Sequence, residues 1–174
     1  MDNFLVNPPG GGAWEIIEDR VLTGAGSQTF PISVPGTYLL LFNIEAGQVG
    51  MYSGGLRFGD AGGIDAGANY DVAIFQTTSA AGENSSGLMN ATYWEIFSLV
   101  SVVNRFFGQA LFSTEEGNFH DVHGMIDFIR IYDDGVNRAI VGGDYTGDAD
   151  ITQFQVYISA GTITGHMELL RLII

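Results

Sequence analysis

Three histidines are the side chains in this sequence best suited to acid–base or metal chemistry. His120 and His123 stand three residues apart, and His166 lies near the C-terminus. Imidazole titrates near neutral pH and is a common metal ligand. On a strand, however, residues i and i+3 point to opposite faces, so His120 and His123 cannot share one ion. Because the chain also has no cysteine, we predict no zinc site. His166 alternates with Thr164 and is expected at the surface or at a subunit contact.

A group of aspartates offers a different metal chemistry. Asp144, Asp148 and Asp150 lie close together around a glycine, and their carboxylates are the oxygen ligands that Ca²⁺ prefers. The stretch lacks the bidentate glutamate of an EF-hand loop, and aspartate beside glycine is equally typical of a hairpin turn. We retain these three residues as a calcium candidate with a hairpin loop as the alternative, and we predict no bound cofactor.

The sequence carries no signature of catalysis. No serine stands in a Gly-x-Ser-x-Gly elbow. Twenty acidic residues always allow some pair of carboxylates at the spacing that glycosidases use. Turn chemistry explains aspartates such as Asp134, Asp144 and Asp148, which stand beside glycine, more simply. We therefore predict that the chain is not an enzyme.

Five aromatic residues form the remaining candidate for recognition. Such rings stack on sugars in lectins, although packing in a core is the more common fate of large aromatic side chains. If their stretch is a strand, two adjacent rings point to opposite faces and only one of them is exposed. The residues are Tyr93, Trp94, Phe97, Phe106 and Phe107.

The elements that would position these residues begin after an N-terminal arm. Residues 1–13 contain two prolines followed by three glycines, a pattern that packs into no regular element. We interpret them as a flexible arm whose apolar residues anchor it to a partner, with a frayed terminus as the alternative. The anchoring candidates are Phe4, Leu5, Val6, Pro8 and Pro9.

Residues 14–174 are predicted to form one domain, because a length of 174 residues fits a single domain. Short apolar runs, several of them alternating with polar residues, are separated by Gly, Asn, Asp and Ser, which is typical of strands and turns. The pattern predicts an all-β fold, an antiparallel β-sandwich of about ten strands that is jelly-roll-like. The predicted strands are 14–22, 28–34, 37–46, 54–59, 69–77, 92–103, 105–113, 122–132, 138–142, 150–159 and 162–172.

The last strand reaches the C-terminus and is nearly all apolar from residue 169 onward. Such a segment is typical of a central strand or of a strand in a subunit contact. We therefore take Leu170, Leu172 and Ile174 as candidates for a subunit interface.

Charge narrows the choice of partner. The chain has 20 acidic and 6 basic residues, for a formal charge of −14. Phosphate binding needs clustered Lys and Arg, so neither nucleic acid nor an anionic membrane is an expected partner. No apolar run is long enough for a transmembrane helix, and no signal peptide is visible. Only 15% of the residues are charged, against about 25% in a usual soluble domain. That composition suits either an ordinary glycine-rich β protein or a protein that is docked in an assembly.

Four short motifs, taken in order, resemble a group of small β-rich structural proteins of tailed bacteriophages, associated with the head or the tail. The resemblance covers most of residues 14–169. The motifs are WEIIE at 14–18 with LTG at 22–24, FPI at 30–32 with PGTYLLL at 35–41, LRFGDAG at 56–62 with ANY at 68–70, and ITQF at 151–154 with GTITGHMEL at 161–169.

The resemblance implies a virion structural protein and carries over no catalytic residue. The leading expectation is a capsid decoration (cement) protein that binds the major capsid protein as a homo-oligomer, a trimer, in a virion assembled in the host cytoplasm. The alternative is a tail-associated module that binds a glycan of the host surface. Fold alone does not decide between the two.

Overall fold

The computed structural model describes residues 12–32, 34–47, 52–78, 82–100, 104–115, 118–132, 135–147 and 149–173. Every regular element in these residues is a strand, so they contain no helix long and apolar enough to cross a membrane. The strands are β1 (Ala13–Ala25), β2 (Gln28–Pro31), β3 (Gly36–Gly47), β4 (Tyr52–Asp60), β5 (Gly63–Ile64), β6 (Tyr70–Thr78), β7 (Gly82–Ala91), β8 (Trp94–Val100), β9 (Asn104–Glu115), β10 (Asn118–Tyr132), β11 (Gly135–Thr146), β12 (Gln153–Ile158) and β13 (Thr162–Ile173).

The strands form two antiparallel sheets. The large sheet has eight strands in the order β1-β13-β3-β9-β10-β11-β6-β7. The small sheet has the order β2-β12-β4-β5, and β8 also pairs with β4. All recorded pairings are antiparallel, which confirms the predicted all-β class with antiparallel sheets.

The core lies where residues of the two sheets contact each other. Along β3, side chains alternate between buried and half-exposed or exposed positions, as the period of two in a strand requires. Phe58 of the small sheet meets Phe112 of the large sheet with ring centroids 5.4 Å apart. Phe112 also meets Phe154, again across the sheets, at 5.2 Å. All three rings are at most 1% exposed, so aromatic packing holds the sheets together.

Strand β8 covers the inner face of the large sheet beyond this aromatic centre. Trp94 is fully buried, and its indole Nε1 donates a hydrogen bond to the Asp144 carbonyl at 3.2 Å. A Cβ placed on Gly143 would lie 2.6 Å from that Nε1, so the indole packs directly on the glycine. Trp94 can therefore occupy this position because Gly143 has no side chain.

Each of the eleven predicted runs contains a strand, but the described residues form thirteen strands rather than about ten. The two that sequence patterns missed are β5 and β7. Strand β5 has only two residues, and β7 is a polar edge strand that pairs with β6 alone. Neither shows an alternation that a pattern could detect. The C-terminal strand β13 lies between β1 and β3, a central position that confirms one of the two predictions for it.

Candidate interaction surface

The outer face of the large sheet carries a continuous row of apolar residues across all eight strands. Register places one residue per strand opposite the next, from β1 through β13, β3, β9, β10, β11 and β6 to β7. No member of this row has a polar side chain. We call it the apolar row; its members are Ile16, Leu170, Leu39, Leu111, Met125, Gly142, Ala73 and Gly87.

The middle of the row projects as a ridge. Leu39, Leu111 and Met125, which we call the ridge, occupy adjacent positions on β3, β9 and β10. Leu111 is 39% exposed and Met125 43% exposed. Further apolar side chains stand exposed on the same face, including Phe75 and Phe107. An apolar patch of this extent on a sheet face is the usual mark of a surface that binds another molecule.

Next to the ridge the same face forms a shallow groove. Its floor consists of Ala73, Gly87 and Gly142, and Phe75, Ile140 and Ser85 line it; the groove is broadly open to solvent and has a volume of about 480 Å³. A Cβ placed on Gly142 would meet no atom within 4 Å, in contrast to the neighbouring inward-facing Gly143. The groove thus exists because three successive strands carry small residues at one register position.

Charges near the row are paired on the face itself. Asp127 accepts two hydrogen bonds from Arg138, from Nε at 3.1 Å and from Nη2 at 2.8 Å. These hydrogen bonds, together with the carboxylate charge, raise the pKa of the Arg138 guanidinium above its ordinary value. Farther along the strands, Arg105 Nε donates to Glu45 at 3.2 Å. These two pairs match the charges of Asp127 and Glu45, while Glu168 on β13 and the cross-strand neighbours Asp71 and Asp144 beside the groove add carboxylates to the same face.

The histidines lie at the margins of the face. His123 is on β10, and its Nδ1 is 2.7 Å from Asp144 Oδ1. His166 is exposed, as predicted, and its Nε2 hydrogen-bonds with Asp19. The side chain of His120 lies outside what the structure describes. Each of the two described imidazoles thus contacts a carboxylate.

The structure describes two of the three residues of the calcium candidate. Asp144 lies in β11 and its carboxylate contacts His123, while Asp150 follows in the connection to β12. Asp148 lies outside the described residues. The part of the chain that the structure describes holds no group of three or more His, Asp or Glu side chains that could bind a metal ion.

The predicted subunit interface falls partly on the apolar row. Leu170 is only 2% exposed, between Ile16 and Leu39 in the register, and Leu172 is half-buried. Ile174 lies outside the described residues, as do the arm residues Phe4, Leu5, Val6, Pro8 and Pro9. Sequence patterns missed the ridge; the detectable signal was apolar residues at both alternate positions of β9 and β10.

The aromatic candidates separate into core and surface. Trp94 and Phe106 are fully buried, so both are core residues and neither can stack on a sugar. Phe107 is on the outer face of the large sheet, and the Phe97 side chain lies outside what the structure describes. Tyr93 is half-buried on the other side of the molecule, with its ring centroid 5.5 Å from that of Tyr157.

The outer face of the small sheet is polar and internally hydrogen-bonded. The Arg57 guanidinium lies 3.5 Å from the centre of the Tyr157 ring, and its Nε donates to the Thr92 carbonyl at 3.1 Å. Gln155 Nε2 donates to Thr29 Oγ1 at 3.3 Å. The polar groups of this face therefore find partners within the chain.

A hydrogen-bond network around Asp65 joins the two sheets at the connection from β5 to β6. Asp65 accepts hydrogen bonds from the Gly67 amide at 2.6 Å, from Asn69 at 2.7 Å and from the Tyr145 hydroxyl at 3.2 Å. Partial burial acts to raise the pKa of the Asp65 carboxyl, but these hydrogen bonds outweigh it and hold the pKa below its usual value. The Tyr70 hydroxyl donates to the Asp65 carbonyl, and burial raises its own pKa.

Comparison with known proteins adds no relative: no protein-family model, no curated protein and no solved structure matches the chain.

Proposed function

We propose that the chain is a structural protein of a bacteriophage virion, a decoration protein that binds the head surface as a trimer and stabilises it. The observation that carries the proposal is the apolar row with its exposed ridge. A face of this kind suits a protein that works by being covered in an assembly. The motifs that resemble phage structural proteins and the low content of charged residues support the same conclusion.

The order of the strands supports a jelly-roll sandwich as the body of the proposed decoration protein. Eight strands, taken along the chain, would be the roll. Strands β6, β7, β10 and β11 would be insertions that widen the large sheet, and β5 would be a short addition to the small sheet. In a jelly roll the first strand pairs with the eighth and the second with the seventh. The corresponding sets here are β1-β13-β3-β9 and β2-β12-β4-β8. Jelly rolls occur in viral capsid proteins and in lectins, so this fold is compatible with the proposal without selecting it.

The arm supplies the contact with the major capsid protein in this proposal. Phe4, Leu5 and Val6 would each contribute about 1.5–3 kcal/mol if they were fully buried on a neighbour. Pro8 and Pro9 restrict the backbone behind them and so lower the entropy lost on docking. Three arms on one trimer then bind with avidity.

Counting copies in the particle tests the proposal. The measurement is quantitative mass spectrometry of purified virions whose genome encodes the chain, with the major capsid protein as the internal standard. We expect hundreds of copies per particle. A few tens of copies would place the chain on the tail, and none would refute a virion role.

Removal of the arm tests the mechanism of binding. A variant without residues 1–11 keeps Ala13, which pairs with Ile173 at the start of β1. We expect it to lose binding to heads while its unfolding in urea stays unchanged, because the deleted residues precede the first strand. The matched control is a full-length chain with Asn3 and Asn7 replaced by Ser, which should bind normally. Undiminished binding by the truncated chain would contradict the anchoring role.

The alternative, a tail-associated module that binds a host glycan, has one observation in its favour. Tyr93, Tyr157 and Arg57 lie together on the outer face of the small sheet, and partly exposed aromatic rings stack on sugars. A glycan array probed with the full chain tests it, with Tyr157→Ala as the loss-of-binding control. Binding above background that Tyr157→Ala abolishes would favour this second function.

A further inference from the structure

We infer that the occupant of the apolar row is a second copy of this chain, with the ridge of one copy seated in the groove of the next. The inference names the partner of the proposed surface, and only the expected number of copies rests on the proposed function. Four properties of the outer face support this inference: its charge, its extent, its shape and the open space above Gly142 in the groove floor.

Charge favours a copy of the same chain over a charged partner. Two copies that each carry −14 charges repel unless the contact itself is neutral. The carboxylate nearest the ridge on β10, Asp127, is already paired with Arg138, and Glu45 with Arg105. Because the carboxylates beside the ridge on β10 and β3 are matched within the chain, the ridge itself offers a strongly basic partner no unmatched charge among these four residues, and it suits an uncharged apolar surface such as the groove of another copy.

The extent of the face suits a specific protein contact. Partly or fully exposed apolar side chains of this face lie on five adjacent strands, from β3 to β6, and over seven residues along β10 from Met125 to Ile131. Polar side chains such as Gln109 and Arg138 stand among them. At about 4.8 Å between strands and 3.3 Å per residue, this area of mixed polarity covers roughly 550 Å² in projection. Stable protein contacts bury about 800 Å² of accessible surface per partner, and accessible surface exceeds the projected area because side chains roughen it.

Shape makes the face complementary to itself. The ridge (Leu39, Leu111 and Met125) and the groove floor (Ala73, Gly87 and Gly142) are neighbouring but different patches. A contact that joins two different patches is heterologous, and repeating it closes a ring when the rotation between neighbouring copies closes. We take that ring to have three copies, which would be the trimer of the proposed function.

Gly142 allows the groove to be filled without disturbing the chain itself. A Cβ there would meet no atom within 4 Å, so Gly142→Glu removes nothing from the fold and occupies the groove. Gly26 has the same open surroundings in the turn between β1 and β2, so Gly26→Glu is a control with identical charge. Met125→Glu alters the ridge in place of the groove.

The experiment measures mass in solution by light scattering after size-exclusion chromatography. We expect wild type and Gly26→Glu at three times the 18.7 kDa chain mass, and Gly142→Glu and Met125→Glu at the mass of one chain. Far-ultraviolet circular dichroism checks that all four are folded. An oligomeric Gly142→Glu, or a monomeric wild type at about 100 μM, would overturn the inference.

Mixing the two interface variants sharpens the test. One copy of Gly142→Glu retains an intact ridge, and one copy of Met125→Glu retains an intact groove. The mixture should therefore form a species of twice the chain mass, held by a single intact contact, although neither variant associates alone. A mixture that stays at the mass of one chain would refute ridge-in-groove packing.

Failure of the inference and failure of the proposed function give different results. A chain that is monomeric in solution yet present in hundreds of copies per virion would refute the inference alone. A trimer that Gly142→Glu dissociates, combined with absence from virions, would refute the decoration role and leave the inference standing.

Discussion

The outer faces of the two sheets follow the same alternation of side chains but present opposite surfaces. On the small sheet, Arg57 lies on Tyr157, and Gln155 bonds to Thr29. On the large sheet, Leu111 and Met125 project from the centre of an apolar row. Both sheets contribute their inner faces to one core. The difference shows that a strand with apolar residues on both faces need not be buried on both faces within its own chain.

The largest expected effect is on self-association, which substitutions on the outer face of the large sheet should weaken and matched substitutions on the small sheet should not. Replacing Leu111 and Met125 with Ser should weaken self-association about 100-fold, because the exposed parts of these side chains are worth about 3 kcal/mol together at about 25 cal/mol per Å². The matched control replaces Gln153 and Gln155 with Ser on the small sheet, where no change in association is expected. Sedimentation equilibrium over a dilution series measures both. Equal weakening of self-association by the two pairs of substitutions would show that the large-sheet face is not the contact.

A smaller effect distinguishes the inside of the large sheet from its outside at two adjacent glycines. Gly143→Ala places a methyl group against Trp94 and should lower the free energy of unfolding by about 1–3 kcal/mol. The methyl group of Gly142→Ala would extend into the open groove, so this substitution should change the free energy of unfolding by less than about 0.5 kcal/mol. Urea unfolding of the monomeric Met125→Glu background measures both without interference from association. Similar losses at the two positions would mean that the groove is not open.

A still smaller effect concerns the polar face. Tyr157→Leu keeps an apolar side chain but removes the ring beneath Arg57, and should cost about 0.5–1 kcal/mol of stability. Tyr157→Phe keeps the ring and serves as the control. The oligomer should stay intact in both variants, as checked by light scattering. Dissociation of the Tyr157→Leu oligomer would indicate that the subunit contact involves the small sheet, contrary to the inference.

The smallest expected effect depends on pH and lies where the two sheets are joined. The folded-state pKa of Asp65 is lowered, so its stabilisation is fully present above the unfolded value of about 3.9 and is lost as the pH falls through the folded value. Wild type should therefore exceed Asp65→Asn in urea midpoint at pH 6, and the difference should shrink at pH 3. A difference that is constant with pH would show that the carboxylate charge plays no part.

Local pattern was enough to predict most strands but not the surface that they build. Alternation identified strands such as β3 and β12. The apolar row depends on register across eight strands, with partners such as Ile16 and Leu170 more than 150 residues apart, which no local window contains. The polar sequence of β7 hid a strand because only pairing with β6 makes it one.

The pairing of β1 with β13 has a consequence for synthesis on the ribosome. Strand β1 has no neighbour other than β13, and β2 none other than β12, within the described sheets. Strands β1 and β2 must therefore wait for β13 and β12 to leave the ribosome before they acquire a hydrogen-bonded partner. The hairpin of β10 and β11 closes locally, so it can form while β1 and β2 remain unpaired. Loop closure from β1 to β13 makes the final pairing slow, and unpaired edges invite aggregation in the interval. Synthesis of this chain thus includes a period of exposure to aggregation that ends only when β13 can pair.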